Sequence, residues 1–227
     1  MKKLLIGAWA IGILLSCLFL PGKACAVPDW LSDFNESGAE AVSLTGDSDE
    51  VIATLLFEET KWEDSHEFGI YGFKLTDDGI EIIDMLPIFY GSATSLDTTT
   101  IHFDISSHQV WLDGSTDVKN IGPTFGFYLK TQEDNSQTFY SQTALNGDDT
   151  DHALIYELGG DTLILNEFYP DVVIAFEDWK GGGDGDFNDI VIGLQGVAAV
   201  PEPATVILFG TGLVGFASMA RKKIKRS

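Results

Sequence analysis

Residues 171–194 read DVVIAFEDWKGGGDGDFNDIVIGL, two apolar runs that enclose a loop of acids and glycines. The runs at 171–178 and 187–194 are short and rich in β-branched and aromatic residues, which is typical of strands. Similar runs occur upstream, at 67–75, 80–86, 100–105, 124–130, 152–158 and 161–168. Strands at this spacing bury one face against a second sheet, so the sequence predicts an all-β domain, an antiparallel β-sandwich or jelly roll.

Turn residues divide these runs and set the predicted boundaries. Gly159-Gly160 lies between the runs at 152–158 and 161–168 and predicts a tight hairpin. We expect the sandwich to span 51–196. Residues 27–50 are polar after Trp30, which predicts a leader arm or a first edge strand.

The charge of the predicted domain excludes one class of partner. The chain has 13 Lys and Arg against 35 Asp and Glu, and residues 27–200 hold 34 of those acids but only five basic residues, a net charge of −29. A surface of this sign repels phosphate backbones, so we expect no nucleic-acid partner.

The loop inside 171–194 is the densest chemical signal. Six oxygen-bearing side chains fall within thirteen residues: Glu177, Asp178, Asp184, Asp186, Asn188 and Asp189. Crowded carboxylates repel one another unless a cation neutralises them, and calcium prefers oxygen ligands. The spacing D-x-D-x-N begins like an EF-hand, but glycine is missing at position 6 and glutamate at position 12. The sequence therefore predicts calcium in a loop of another type, with an acidic solvated turn as the alternative.

The amino-terminal segment, residues 1–26, has the features of a secretory signal. Two lysines precede an apolar run at 4–20, and Ala24 and Ala26 flank a small-residue cleavage site that places the cut before Val27. An uncleaved signal anchor is the alternative.

The two cysteines of the chain, Cys17 and Cys25, both lie in that segment. Lipoprotein processing at Cys17 is a further alternative, which the apolar residues after Cys17 disfavour. After the predicted cut the protein has no disulfide and no thiolate metal site.

The carboxyl-terminal segment predicts a membrane helix. Residues 204–220 form an uncharged run of 17 residues, which is about 25 Å of helix, and 221–226 read RKKIKR. The basic cluster predicts a cytoplasmic carboxyl terminus and an exported domain.

The residues before that run, VPEPAT at 200–205, hold two prolines around one carboxylate. Together with the apolar run and the basic tail, they closely resemble the PEP-CTERM sorting signal of bacteria. The resemblance implies that Pro201, Glu202 and Pro203 are recognised by an exosortase. It also implies transient anchoring in the inner membrane, followed by transfer to the cell envelope or extracellular matrix.

The segment FEDWKGGGDGDFNDIVIGL resembles the signature of a secreted bacterial domain, the domain of unknown function 4114. That signature combines FEDW, a glycine-rich DxDFND and a closing strand, and the likeness extends over about 50–195. The family has no established activity, so the resemblance implies only a fold and a tendency to bind metal.

Catalytic patterns are weak in this sequence. Neighbouring acids occur by chance in so acidic a chain, and adjacent strand residues point to opposite faces. The four histidines lack metal-site spacing, so we expect each to be an ordinary strand or loop residue: His66, His102, His108 and His152. We therefore expect no enzyme but an exported protein with a structural or adhesive role.

A secreted polysaccharide hydrolase on the same scaffold is the alternative function. Extracellular polysaccharide is a candidate partner, since Trp62, Trp111 and Trp179 could present aromatic faces to sugars. Core positions are slightly favoured for all three.

Overall fold

Alternating apolar residues build two antiparallel sheets in the computed structural model, which describes residues 31, 34–46, 48–59, 65–131, 137–160, 162–164 and 168–200. The strands are β1 (Ala41–Leu44), β2 (Glu50–Glu58), β3 (Glu67–Thr76), β4 (Gly79–Tyr90), β5 (Thr98–Asp104), β6 (Gln109–Leu112), β7 (Lys119–Asn120), β8 (Thr124–Lys130), β9 (Thr138–Tyr140), β10 (Ala153–Glu157), β11 (Val172–Phe176), β12 (Ile190–Gln195) and β13 (Val197–Val200). A short 3-10 helix covers Thr143–Leu145.

Sheet I has the strand order β13-β1-β8-β3-β4, with β9 also paired to β8, and sheet II has the order β10-β11-β12-β2-β5-β6-β7. All of these pairings are antiparallel. The predicted all-β architecture is therefore confirmed.

Aromatic side chains join the inner faces of the two sheets. Phe68 of β3 meets Phe176 of β11 edge to face at 6.0 Å between ring centroids, and Phe103 of β5 stacks on Phe125 of β8 at 5.3 Å. Such pairs contribute about 0.5–1.5 kcal/mol each beyond the burial of their area. Phe176 is fully buried in this core and directly precedes the acidic loop.

A second apolar cluster covers the outer face of sheet II. Its members come from the amino-terminal segment, from the connection after β10 and from the strands beneath: Leu31, Phe34, Leu56, Ile164, Phe168, Val173, Ala175 and Val191. The strands of this part of the sheet are thus buried on both faces.

A reciprocal pairing of tyrosine and glycine sets the register of β3 and β8. Each strand contains the pattern Phe-Gly-x-Tyr, and the register places Gly69 opposite Tyr128 and Tyr71 opposite Gly126. Each tyrosine ring lies over the partner glycine, because a Cβ at Gly69 would be 2.6 Å from Tyr128 Cε1 and one at Gly126 would be 2.8 Å from Tyr71 Cε1.

The predicted sandwich, 51–196, is too short at both ends, and part of the predicted leader, 27–50, belongs to it. β1 is neither leader nor edge, since it lies between β13 and β8. Leu31 is fully buried, and β13 extends the sheet to Val200. The prediction was wrong here because four-residue strands such as AVSL and VAAV are too short for a pattern of alternation to emerge.

The predicted hairpin at Gly159-Gly160 is wrong, because β10 pairs with β11. The described residues of the predicted strand at 161–168 form no extended ladder. The described part of this segment pairs through one isolated bridge, Ile164 with Phe168, and the apolar side chains cover sheet II from outside. β2 is not among the strands that the sequence predicts. Both faces of this strand are covered, so its apolar residues do not alternate with polar ones.

The signal segment 1–26 and the apolar run 204–220 lie outside the described residues. Within the part of the chain that the structure describes, we find no helix with the length and apolarity that crossing a bilayer requires.

Replacing Gly126 by Ala tests the reciprocal pairing. The added Cβ would overlap the Tyr71 ring, and overpacking of this kind costs about 1–3 kcal/mol. At about 2–4 °C per kcal/mol, thermal unfolding of the variant should occur several degrees below wild type. Gly122→Ala is the matched control, since no heavy atom lies within 4 Å of its Cβ. Equal melting temperatures for the two variants would contradict the pairing.

Candidate metal centre

The acidic loop, residues 177–189, connects two strands of the core. β11 and β12 pair from Val172 with Leu194 to Phe176 with Ile190, so the loop closes directly on the last pair. Its four glycines and Phe187 all have positive φ, which lets thirteen residues coil over a short gap.

Three of the predicted ligands converge inside this coil. One carboxylate oxygen each from Glu177, Asp184 and Asp186 lies within 4.8 Å of the others, and the first and last of these residues are buried. Calcium–oxygen bonds of 2.3–2.6 Å around one centre give oxygen separations of this size. A Cβ at Gly183 would collide with Glu177 Oε1, so glycine leaves the room beside that carboxylate.

One carboxylate oxygen of Asp186, Oδ1, is buried without a hydrogen-bond donor among the described residues. The residue is 8% exposed, and its Oδ2 accepts a hydrogen bond from Asn188 Nδ2 at 2.9 Å. A buried carboxylate oxygen without a donor is costly, and a cation would supply the missing interaction.

The other three predicted residues support the loop from its rim. Asp189 Oδ2 accepts the Asp178 backbone N–H at 2.6 Å, while Asp178 Oδ2 lies 3.1 Å from His66 Nε2. Asn188 orients Asp186. The structure therefore places Glu177, Asp184 and Asp186 together and Asp178, Asn188 and Asp189 around them.

His66 braces the loop against β2. The ring is buried, with Nδ1 3.1 Å from Glu58 Oε1 and Nε2 3.1 Å from Asp178 Oδ2. Burial lowers the pKa of His66, but hydrogen bonds and charge from the two carboxylates outweigh it and raise the pKa to about 9. The imidazolium thus provides a cationic contact for Asp178, and it ties the loop to a neighbouring strand.

His152 braces the loop from the opposite side. Its Nδ1 lies 3.2 Å from the Glu177 carbonyl oxygen and its Nε2 3.1 Å from Asp148 Oδ2. The Gly181 N–H donates to the same carboxylate at 2.8 Å. Burial opposes ionisation of Asp148, but hydrogen bonds from Gly181 and His152 outweigh it and hold its pKa at about 2.

Both histidines lie in loop segments, as expected, but the sequence did not indicate that each contacts a residue of the acidic loop. The expectation of a core position is wrong for Trp179, which is 49% exposed. Trp111 is half-buried and stacks on His102, and Trp62 lies outside the described residues.

Burial and mutual repulsion disfavour ionisation of the loop carboxyl groups when no cation is bound. Burial raises the pKa of Asp186 to about 7, with a further contribution from the charges of Asp184 and Glu177. Burial likewise raises the pKa of Asp189 to about 8, and it raises that of Glu177. Raised pKa values of this kind indicate carboxyl groups that are stable either when protonated or when a cation is bound.

Comparison with known families agrees with both resemblances. Residues 119–197 match the model of the domain of unknown function 4114, and 199–222 match the PEP-CTERM protein-sorting motif. The recognised part of the domain is shorter than 50–195, but it contains the whole acidic loop. The sorting motif implies export and processing by an exosortase. No curated protein and no solved structure gives a significant match.

The raised pKa values predict how the metal-free protein responds to pH. Between about pH 4 and 8 the folded state binds more protons than the unfolded state at Asp186 and Asp189, and His66 extends this excess from about pH 6.5 to 9. The free energy of unfolding must then fall as pH rises. Melting temperatures in chelator should decrease from pH 5 to pH 9, and Asp189→Asn should make the decrease shallower. A melting temperature that is constant or rises from pH 5 to pH 9 would contradict the raised pKa values of these groups.

Proposed function

We propose that this chain is a cell-surface or extracellular-matrix protein with a structural or adhesive role, whose sandwich is stabilised by calcium in the acidic loop. The match to the sorting motif supports the location. The observation that carries the calcium proposal is the buried, unpartnered Oδ1 of Asp186 beside two further carboxylates.

Calcium suits this loop better than other ions. The converging side chains offer oxygen alone, which disfavours zinc and copper. Calcium accepts six to eight oxygens in flexible geometry, and carbonyl groups of the loop and water would complete the shell. Magnesium demands a regular octahedron and releases water reluctantly, so it should bind less well.

A stabilising role follows from where the loop lies. It leaves the core at Phe176 and returns at Ile190, and two histidine braces hold it between β2 and the segment before β10. An ion there would remove the repulsion among acids at the end of the β11–β12 pair. The protein lacks cysteines after the predicted signal cut, so an ion would serve in place of a disulfide.

We propose a non-catalytic role. The two histidines nearest the acids are buried and engaged with carboxylates, which suits bracing better than proton transfer. The exposed Trp179 in the loop is compatible with a polysaccharide partner.

Calcium should raise the melting temperature of residues 27–200. Extracellular modules bind calcium at about 0.1–1 mM, so about 10 mM calcium gives about 2.7 kcal/mol at the tight end of that range. This corresponds to several degrees at about 2–4 °C per kcal/mol. Magnesium should give a smaller shift.

Two substitutions make the calcium test specific. Asp186→Asn removes the charge but keeps the shape and should abolish most of the shift. Asp78→Asn, in the exposed β3–β4 turn, removes one charge far from the loop and should leave the shift intact. Equal melting temperatures in calcium and chelator, or an undiminished shift for Asp186→Asn, would contradict the calcium site and favour the alternative, an acidic solvated turn.

Processing should be visible in the envelope or matrix fraction. Mass spectrometry should find an amino terminus at Val27 and no peptide from Ile207 onward. Glu202→Ala should leave the protein in the membrane fraction, because the apolar run and basic tail remain as an anchor. Glu81→Ala, an exposed change in β4, is the control. Intact tail peptides in every mature fraction would exclude sorting at this motif.

A further inference from the structure

The last described strand, β13, is a short edge strand. Val197–Val200 pairs with β1 residue by residue, from Leu44 opposite Val197 to Ala41 opposite Val200. β13 ends sheet I, so β1 is its single partner within the sheet's strand order. Val197 is 1% exposed, whereas the other three residues are half-buried.

The match to the sorting motif begins inside this strand. It covers 199–222, so Ala199 and Val200 belong both to the motif and to the ladder with β1. Pro201, the first residue of the Pro-Glu-Pro sequence, follows Val200 directly. The folded sheet and the processing signal are therefore joined without a linker.

These two roles compete for the same backbone groups. Proteins that bind extended peptides do so through main-chain hydrogen bonds. In an antiparallel ladder adjacent residues direct these groups to opposite sides, so an edge strand commits those of every second residue to its neighbour. The Leu44 N–H donates to the Pro123 carbonyl oxygen, so Val42, two residues earlier, also faces β8, and Ala199 opposite it keeps its backbone groups on the outer edge. While β13 is paired with β1, Val200, the residue before Pro201, is therefore the one that is not available in this way.

β13 is bounded by features that confine its release to these four residues. On its amino-terminal side, the Gly196 N–H donates to Asp171 Oδ2 at 2.6 Å and the Thr45 N–H donates to the Gly196 carbonyl oxygen at 3.0 Å. Gly196 has a φ of +89° and sits at the bend between β12 and β13.

The described ladder ends with Ala41 opposite Val200. The Glu40 carbonyl oxygen accepts the Ser141 hydroxyl at 2.7 Å, and Pro201 has no N–H to donate. Release of β13 therefore breaks one short ladder while the anchor at Gly196 remains.

We infer that β13 detaches from β1 when the exosortase engages the chain, so that strand pairing gates processing. The inference rests on the proposed sorting by exosortase. A detached β13 adds four extended residues, about 13 Å of chain, between the sandwich and the motif. An edge strand of this size lies at the low end of local stability, which suits it to opening.

A cross-strand disulfide tests the gate in the full chain, expressed in a cell that exports and sorts it. Ser43 and Ala198 are directly opposite each other and half-buried, so Ser43→Cys with Ala198→Cys can staple β13 to β1. Ile52→Cys with Thr100→Cys places a control staple between β2 and β5. Alkylation of free thiols establishes closure of each bond before processing is scored.

The β13 staple should cause most of the precursor to stay in the membrane, and a reductant should restore conversion. The control staple should be processed like wild type. Inserting Gly-Ser-Gly-Ser and a second Val-Ala-Ala-Val before Pro201 should restore processing of the stapled protein, since it supplies an unpaired strand ahead of the motif.

Wild-type conversion of the β13-stapled protein would overturn the inference. Failure of the insertion to restore conversion would overturn it too, because the block would then not come from the strand. If wild type itself keeps its tail in the same cells, the proposed sorting fails instead, so the two failures are distinguishable.

Discussion

Buried negative charge at the end of β11 is the constraint on which the rest of the site depends. Phe176 is fully buried in the core, and the next residue, Glu177, is a buried carboxylate. His66 offsets part of the cost by its contact with Asp178, while the His152 ring contacts the carbonyl oxygen of Glu177, and Asp186 Oδ1 is left without a donor among the described residues. Burial therefore raises the pKa of the loop acids, and a calcium ion would neutralise them where the two histidines cannot reach.

β11 connects the two functional regions of the molecule. At one end Asp171 holds Gly196, from which β13 and the sorting motif continue. At the other end Glu177 enters the metal cluster. The strand between them is five residues long and buried throughout. An ion that fixes the acidic loop would thus stabilise the strand that also anchors the detachable edge of sheet I.

Much of the architecture could be predicted from short apolar runs, including the strands on both sides of the acidic loop. The strands β1 and β13 could not, because four residues carry too little pattern, and the covered outer face of sheet II hides the alternation of β2. The division of the six acidic-loop residues into three that converge and three that brace depends on backbone conformation around Gly183. The partner of His66 lies 112 residues away, so no local pattern could indicate it. The paired Phe-Gly-x-Tyr sequences were a usable signal, since tyrosine over glycine predicts the register of β3 and β8.

The central claim is that a cation completes the cluster of Glu177, Asp184 and Asp186. A crystal structure of residues 27–200 grown in millimolar calcium tests it most directly. The account predicts an ion about 2.3–2.6 Å from Asp186 Oδ1 and from oxygens of Glu177 and Asp184. A structure in which Asp186 Oδ1 is hydrogen-bonded to another group, with no ion in the loop at that calcium concentration, would contradict it.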